Sequence, residues 1–136
     1  MDLNVFDVTE DGIEMQVRHP VTGATLWQDS ESEKAVTITF NGTHSSQFKK
    51  ANFANTDRRI RNGMRAKITA EQVYEEGFEV LVKCTLAWDG VEVDGARPPF
   101  SAANVRMIYK RFPWLRLQAE EFNADIQNFI RPSTKS

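Results

Sequence analysis

The stretch Thr69-Ala70-Glu71-Gln72-Val73-Tyr74-Glu75-Glu76-Gly77-Phe78-Glu79-Val80-Leu81-Val82-Lys83-Cys84-Thr85-Leu86-Ala87-Trp88 decides the fold. Thr69 and Gln72 stand at the spacing of a capping box, in which each side chain satisfies a free backbone N–H of the other. Behind that cap, Val73, Gly77, Val80, Leu81, Cys84 and Trp88 fall on one helical face, and Tyr74, Phe78, Val82 and Thr85 form a second stripe beside it. A helix apolar on two adjacent faces is packed from two sides, so the pattern predicts a central core helix over residues 69–88. Asp89-Gly90-Val91-Glu92-Val93-Asp94-Gly95 ends it and reads as a hairpin-like excursion, because Asp-Gly pairs favour tight turns.

Upstream the period changes from helical to two. Gly12-Ile13-Glu14-Met15-Gln16-Val17-Arg18 alternates apolar and polar residues, as a half-buried strand does. His19-Pro20-Val21-Thr22-Gly23 is a turn, with Ala24-Thr25-Leu26-Trp27 as a return strand and Val36-Thr37-Ile38-Thr39-Phe40 as a third. Residues 12–41 are therefore expected to form a small antiparallel β-meander. After Asn41-Gly42, Ser45 or Ser46 can cap a helix over residues 47–61, which turns Phe48, Ala51 and Ala54, with Phe53 as a further candidate, towards the core; Asn62-Gly63 stops it.

Downstream, Ser101 can cap a short helix through Lys110 with Val105, Ile108 and Tyr109 facing inward. Pro113 suits the first turn of a last helix, along which Leu115, Ala119, Phe122, Ile126 and Phe129 recur at helical spacing. Residues 131–136 are a polar, frayed tail. The expectation is one α+β domain spanning residues 1–136: a meander at 12–41, then a body of three to four helices at 45–130. At 136 residues such a domain buries enough surface to fold without metal or disulfide.

Several function classes fail on inventory. Cys84 is the single cysteine, so no intrachain disulfide can form, which suits a reducing cytoplasm. The acidic opening MDLNVFDVTEDG has neither the basic nor the apolar part of a secretory signal, and no apolar run is long enough for a bilayer. A zinc site would need Cys84 with both His19 and His44, at spacings unlike any usual ligand set. Glu75, Glu76 and Glu79, like Glu120 and Glu121, read as solvated helix faces rather than acid/base pairs. With no P-loop, dinucleotide fingerprint or nucleophile elbow, the sequence points to a protein that binds other proteins and needs no cofactor.

The net charge of −2 conceals an asymmetry. Residues 1–40 carry eight acids against Arg18 and Lys34, whereas residues 49–67 carry seven bases against Asp57. The two stretches are either solvated faces that neutralise each other within one subunit, or complementary patches between subunits. On the second reading Arg58, Arg59, Arg61 and Arg65 meet Asp7, Glu10, Asp11 and Glu14, and Trp27 and Trp114 are apolar anchors for association. A rival reading gives the basic run from Arg58 to Lys67 to nucleic acid, for a DNA-packaging accessory role; a pI near 5.7 weighs against it.

The order of the short motifs resembles that of tail assembly chaperones from long-tailed bacteriophages with lambda-like, non-contractile tails. His19, Pro20 and Gly23 look like that family's N-terminal turn. Gly42-Thr43-His44-Ser45 is similar to its Gly-x-Asp-Ser stretch, with His44 where an acid is expected. The likeness continues through Trp88 and Gly90, Asp94 and Gly95, Phe100, Asn104, Pro113, Trp114, Gln118 and Asn128-Phe129, and covers about two-thirds of the chain. The resemblance implies a non-enzymatic factor that self-associates and holds the tape-measure protein while the tail tube polymerises around it. It also implies action in the cytoplasm of the infected bacterium, absence from the mature virion, and a longer frameshifted form of the same protein whose junction would lie in the tail after Pro132.

Overall fold

The β-branched run at residues 36–40 occupies the centre of a three-stranded antiparallel sheet in the computed structural model, which describes residues 1–29, 33–63 and 68–130. β2 (Thr37–Phe40) lies between β1 (Ile13–Gln16) and β3 (Thr85–Asp89). Ile13 pairs with Phe40 and Gln16 with Thr37 on one side; Ile38 pairs with Trp88 on the other, with a bulge between Thr39 and Phe40. The expected two-residue alternation holds: Met15, Val17, Ile38 and Phe40 are buried, while Glu14 and Gln16 face water.

The α+β class stands, but two elements differ from the sequence reading. The central helix does not reach Trp88. α2 (Ala70–Cys84) ends four residues earlier and the chain passes straight into β3. Thr85 makes the switch: its Oγ1 donates to the Leu81 carbonyl at 2.8 Å and meets the Tyr109 hydroxyl at 2.8 Å, closing the last turn. The Asn41 N–H then reaches the Cys84 carbonyl at 3.2 Å and starts the pairing with β2. Thr85-Leu86-Ala87-Trp88 fits either period, and the unfilled edge of β2 decides between them.

The second difference is the meander. Residues 24–27 are no strand of the sheet; they belong to an excursion tied by the isolated bridges Arg18–Thr25 and Trp27–Ala35. At its base the Val17 N–H donates to Val36, Leu26 to Val17 and Val36 to Leu26, at 2.9, 2.9 and 2.8 Å. This ring of three main-chain bonds satisfies all three segments without a further strand. The sheet's third strand comes instead from within the expected helical body.

The remaining helices follow their caps. α1 (Ser46–Arg61) starts at Ser45, whose Oγ accepts from the Phe48 N–H, and stops at Asn62-Gly63. Thr69 and Gln72 form both bonds of the capping box, at 3.1 and 3.2 Å. α3 (Ala102–Arg111) is capped by Ser101, and α4 (Pro113–Ala124) has Pro113 in its first turn. α4 stops short of its apolar pattern: Asp125 caps a 3-10 turn (Ile126–Phe129) that buries Phe129 and leaves Ile126 half exposed. The main core joins the inner sheet face to α2, α3, α4 and the 3-10 turn through Ile38, Phe40, Phe78, Leu81, Ile108, Tyr109, Leu115, Ala119 and Phe129. α1 lies outside it. Only Ala51 of α1 is buried, in a small cluster with Val80 and Cys84, while Phe53 and Ala54 point to water.

Candidate interaction surfaces

One acid of the expected N-terminal patch and three of its basic counterparts lie at opposite ends of α1. Glu10 sits at the start of that helix, where its carboxylate accepts the Ser46 N–H; this bond holds its carboxyl below the usual carboxylate range. Arg58, Arg59 and Arg61 occupy the last turn, roughly 20 Å away at 1.5 Å per residue. Acid at the N-terminus and base at the C-terminus both complement the helix dipole, which gives the sequence asymmetry a local physical cause. Asp7, Asp11 and Glu14 are exposed, with Glu14 in β1, and Arg65 lies outside the described residues.

The basic turn has acidic neighbours that sequence reasoning assigned only to solvent. Arg59 pairs with Glu76 of α2, and Arg58 and Arg59 share a cleft of about 340 Å³ with Glu71, Glu75 and Glu76. The partner of Arg59 inside one subunit is thus α2, not the N-terminal third. Arg61 and Arg58 remain exposed. No pattern along the chain announced this pairing, because it depends on how α1 folds back on α2.

Trp27 and Trp114 do come together. Both line an apolar cleft of about 320 Å³ with Leu26, Val93, Ile108 and Phe112, and Trp27 is 54% exposed. Further exposed apolar residues were missed: Phe53 and Ile60 on α1 are 65% and 66% exposed, and Val73 on α2 is 53% exposed. Phe53 and Ile60 are seven residues apart, hence on one side of α1. That spacing was the available signal, and the reading of Phe53 as a core candidate concealed it.

The positions that carry the family likeness are joints of the fold. The His19 Nδ1 accepts the Val21 and Thr22 N–H groups, and Gly23 closes the turn at φ +75° by donating to the His19 carbonyl. Beside that turn, the Gln118 carboxamide exchanges two bonds with the main chain of Arg18, at 3.0 and 2.8 Å. Trp88 donates to the Pro98 carbonyl and meets the Phe100 ring edge-on. Gly90, at φ +79°, has the Gln28 side chain 2.4 Å from where a Cβ would stand. Asp94 takes the Arg111 guanidinium at 2.7 and 3.0 Å beside Gly95. Phe129 packs on Phe122 and His44, and the His44 Nε2 lies 2.7 Å from the Thr9 carbonyl. A carbonyl only accepts, so this ring nitrogen carries the proton, and an ionised acid in its place would have no donor to offer.

Buried chemistry is sparse. The Cys84 thiol is pushed up by burial, against a smaller lowering from a hydrogen bond with Asn123. Arg116 is 7% exposed; its guanidinium stacks 3.9 Å from the Tyr74 ring centre, bonds the Tyr74 carbonyl and pairs with Glu120. The i,i+4 spacing of Arg116 and Glu120 was visible in the sequence. Among the described residues no three His, Cys, Asp or Glu side chains gather as a metal site, and no helix is long and apolar enough to cross a membrane. Comparison with protein-family models, curated proteins and solved structures gives no match to this chain.

Proposed function

We propose that this chain is a non-enzymatic tail assembly chaperone of a long-tailed bacteriophage, acting in the host cytoplasm by self-association and by binding the tape-measure protein. One observation carries the reading furthest: the α1–α2 hairpin holds Phe53, Ile60 and Val73 in water and ends in Arg58 and Arg61, away from the main core. An arm with apolar residues and a charged end suits repeated modest contacts with a long partner better than one deep site. Its charge differs from that of the acidic Asp7–Asp11 stretch, whose Glu10 reaches the other end of α1, and two unlike patches on one subunit permit head-to-tail association. The nucleic-acid alternative has weaker support, since Glu71, Glu75 and Glu76 beside Arg58 and Arg59 would repel phosphate.

Sedimentation velocity from low to high sodium chloride tests the electrostatic part. Exposed ion pairs contribute about 0–1 kcal/mol each, so several must act together, and salt should shrink the multimers. Arg58→Glu with Arg61→Glu should disperse them, and adding Asp7→Lys with Asp11→Lys should restore them in part. Multimers unchanged by salt and by reversal would move the contact to Phe53 and Ile60. Retention of the tape-measure protein on immobilised chain, compared with retention of DNA at moderate salt, tests the partner; DNA alone retained would overturn the chaperone reading.

A further inference from the structure

The outer edge of β1 is open for part of its length and closed at both ends. The Val17 N–H donates inward to Val36, which fixes the parity of the strand: odd residues bond towards β2, and the N–H and C=O of Glu14, Gln16 and Arg18 point outward. At Arg18 the outward pair is already taken by Gln118, whose carboxamide donates to one group and accepts from the other as a neighbouring strand would. Before β1, the Thr9 N–H donates to Phe129 at 2.8 Å, and Val8 bridges Ile130. Between these closures β1 has no strand partner outside among the described residues, and the edge borders a groove of about 540 Å³ whose far wall is α4 and the 3-10 turn.

The groove is acidic. Glu14, Glu121 and Asp125 line it against the single guanidinium of Arg18, and none of the three carboxylates forms an ion pair among the described residues. We propose that this edge receives an extended peptide segment bearing lysine or arginine, which adds as a fourth strand beside Glu14 and Gln16. Main-chain bonds to those two residues supply affinity, and alternate basic side chains on the α4 side of the added strand, meeting Glu121 and Asp125, supply specificity. The open edge spans roughly 13 Å, enough for about four residues. A second copy pairing β1 with β1 would bring two such acidic walls together, so the occupant is a basic partner rather than a twin edge. The proposal stands apart from the chaperone reading, and its failure leaves that reading intact.

The test uses the full chain, with hydrogen exchange followed amide by amide and acetyl-(Lys-Thr)4-amide as the probe. Saturation should slow exchange at Glu14 and Gln16 by about tenfold or more, as closure of an exposed amide does, while acetyl-(Glu-Thr)4-amide does nothing. Gln16→Pro removes one outward donor from an edge that tolerates proline, and should abolish binding. Because that variant can also disturb β1, a second arm leaves the protein unaltered. Methylating the peptide amides of the lysines alone, or of the threonines alone, should abolish binding in one case and spare it in the other, since only alternate amides face β1. Glu121→Lys with Asp125→Lys should weaken the lysine peptide about tenfold. Equal tolerance of both methylated peptides, or no protection at Glu14 and Gln16, overturns the proposal. So does concentration-dependent protection without peptide, which would identify the occupant as a second copy.

Discussion

Glu79 and Glu10 are single residues through which this fold senses acid. The Arg106 guanidinium grips Glu79 through Nε at 2.9 Å and Nη2 at 3.0 Å, and this hydrogen bonding holds its carboxyl below the ordinary value of 4.5. The Ser46 backbone N–H does the same for Glu10. A carboxyl depressed on folding contributes stability that is complete above its unfolded value and disappears as pH falls through the folded one. Urea midpoints should therefore hold from pH 7 to about 5 and decline below about 4.5. Glu10→Gln and Glu79→Gln should each flatten that decline; a double variant that falls as steeply as the parent would contradict the assignment. The partners of these groups were differently legible. Ser45, Thr69 and Ser101 act on N–H groups three residues away, so spacing reveals them. Gln118 bonds a residue 100 positions upstream and Arg116 one 42 upstream, and no local pattern encodes either.

At the scale of elements, Thr85–Asp89 shows where periodicity stops being decisive. The run is apolar at helical and at strand spacing alike, and a short run of that kind cannot be assigned from the sequence. Its placement moves Trp88 from a helix face to a strand, where it opposes Ile38, packs on Phe100 and keeps part of its surface in water. Full burial of a tryptophan would make truncation to alanine cost about 3–5 kcal/mol; with this partial burial Trp88→Ala should cost about 2–3 kcal/mol. Thr85→Val keeps the shape but strips two hydrogen bonds, leaving the Tyr109 hydroxyl buried without a partner, and should cost about 1–3 kcal/mol. Chemical denaturation measures both. A Thr85→Val variant as stable as the parent would mean that packing alone turns α2 into β3.

Across the whole molecule, stability is divided unevenly. The sheet, α2, α3 and α4 share one apolar cluster, whereas α1 rests on Ala51, Phe48 and two residues of α2. A helix with so little buried surface opens at lower free energy than the core that supports it. Native-state hydrogen exchange should show α1 amides exchanging by local opening at low denaturant, while those of β2 and α3 wait for global unfolding. Coincident free energies for α1 and β2 would show instead that the arm is bound into the core. An arm that opens first is also an arm that can adjust to a partner, which links this prediction to the proposed role of the α1–α2 hairpin.

The sequence by itself determined the α+β class, the caps of α2 and α3, the cap of α1 to one of two serines, the turn at His19–Gly23, and the inner face of β1 and β2. Each of these depends on residues within one helical turn or one strand repeat, where local sterics and hydrogen bonding suffice. Only the tertiary structure decided that β3 follows α2 without a break, that residues 24–27 leave the sheet, and that the Arg58–Arg59 cleft is walled by α2. Those outcomes depend on which distant backbone groups and charges remain unpaired once the core has closed. The pairing of β2 with β3 satisfies a strand edge that the first half of the chain leaves open, and that requirement comes into being only on folding.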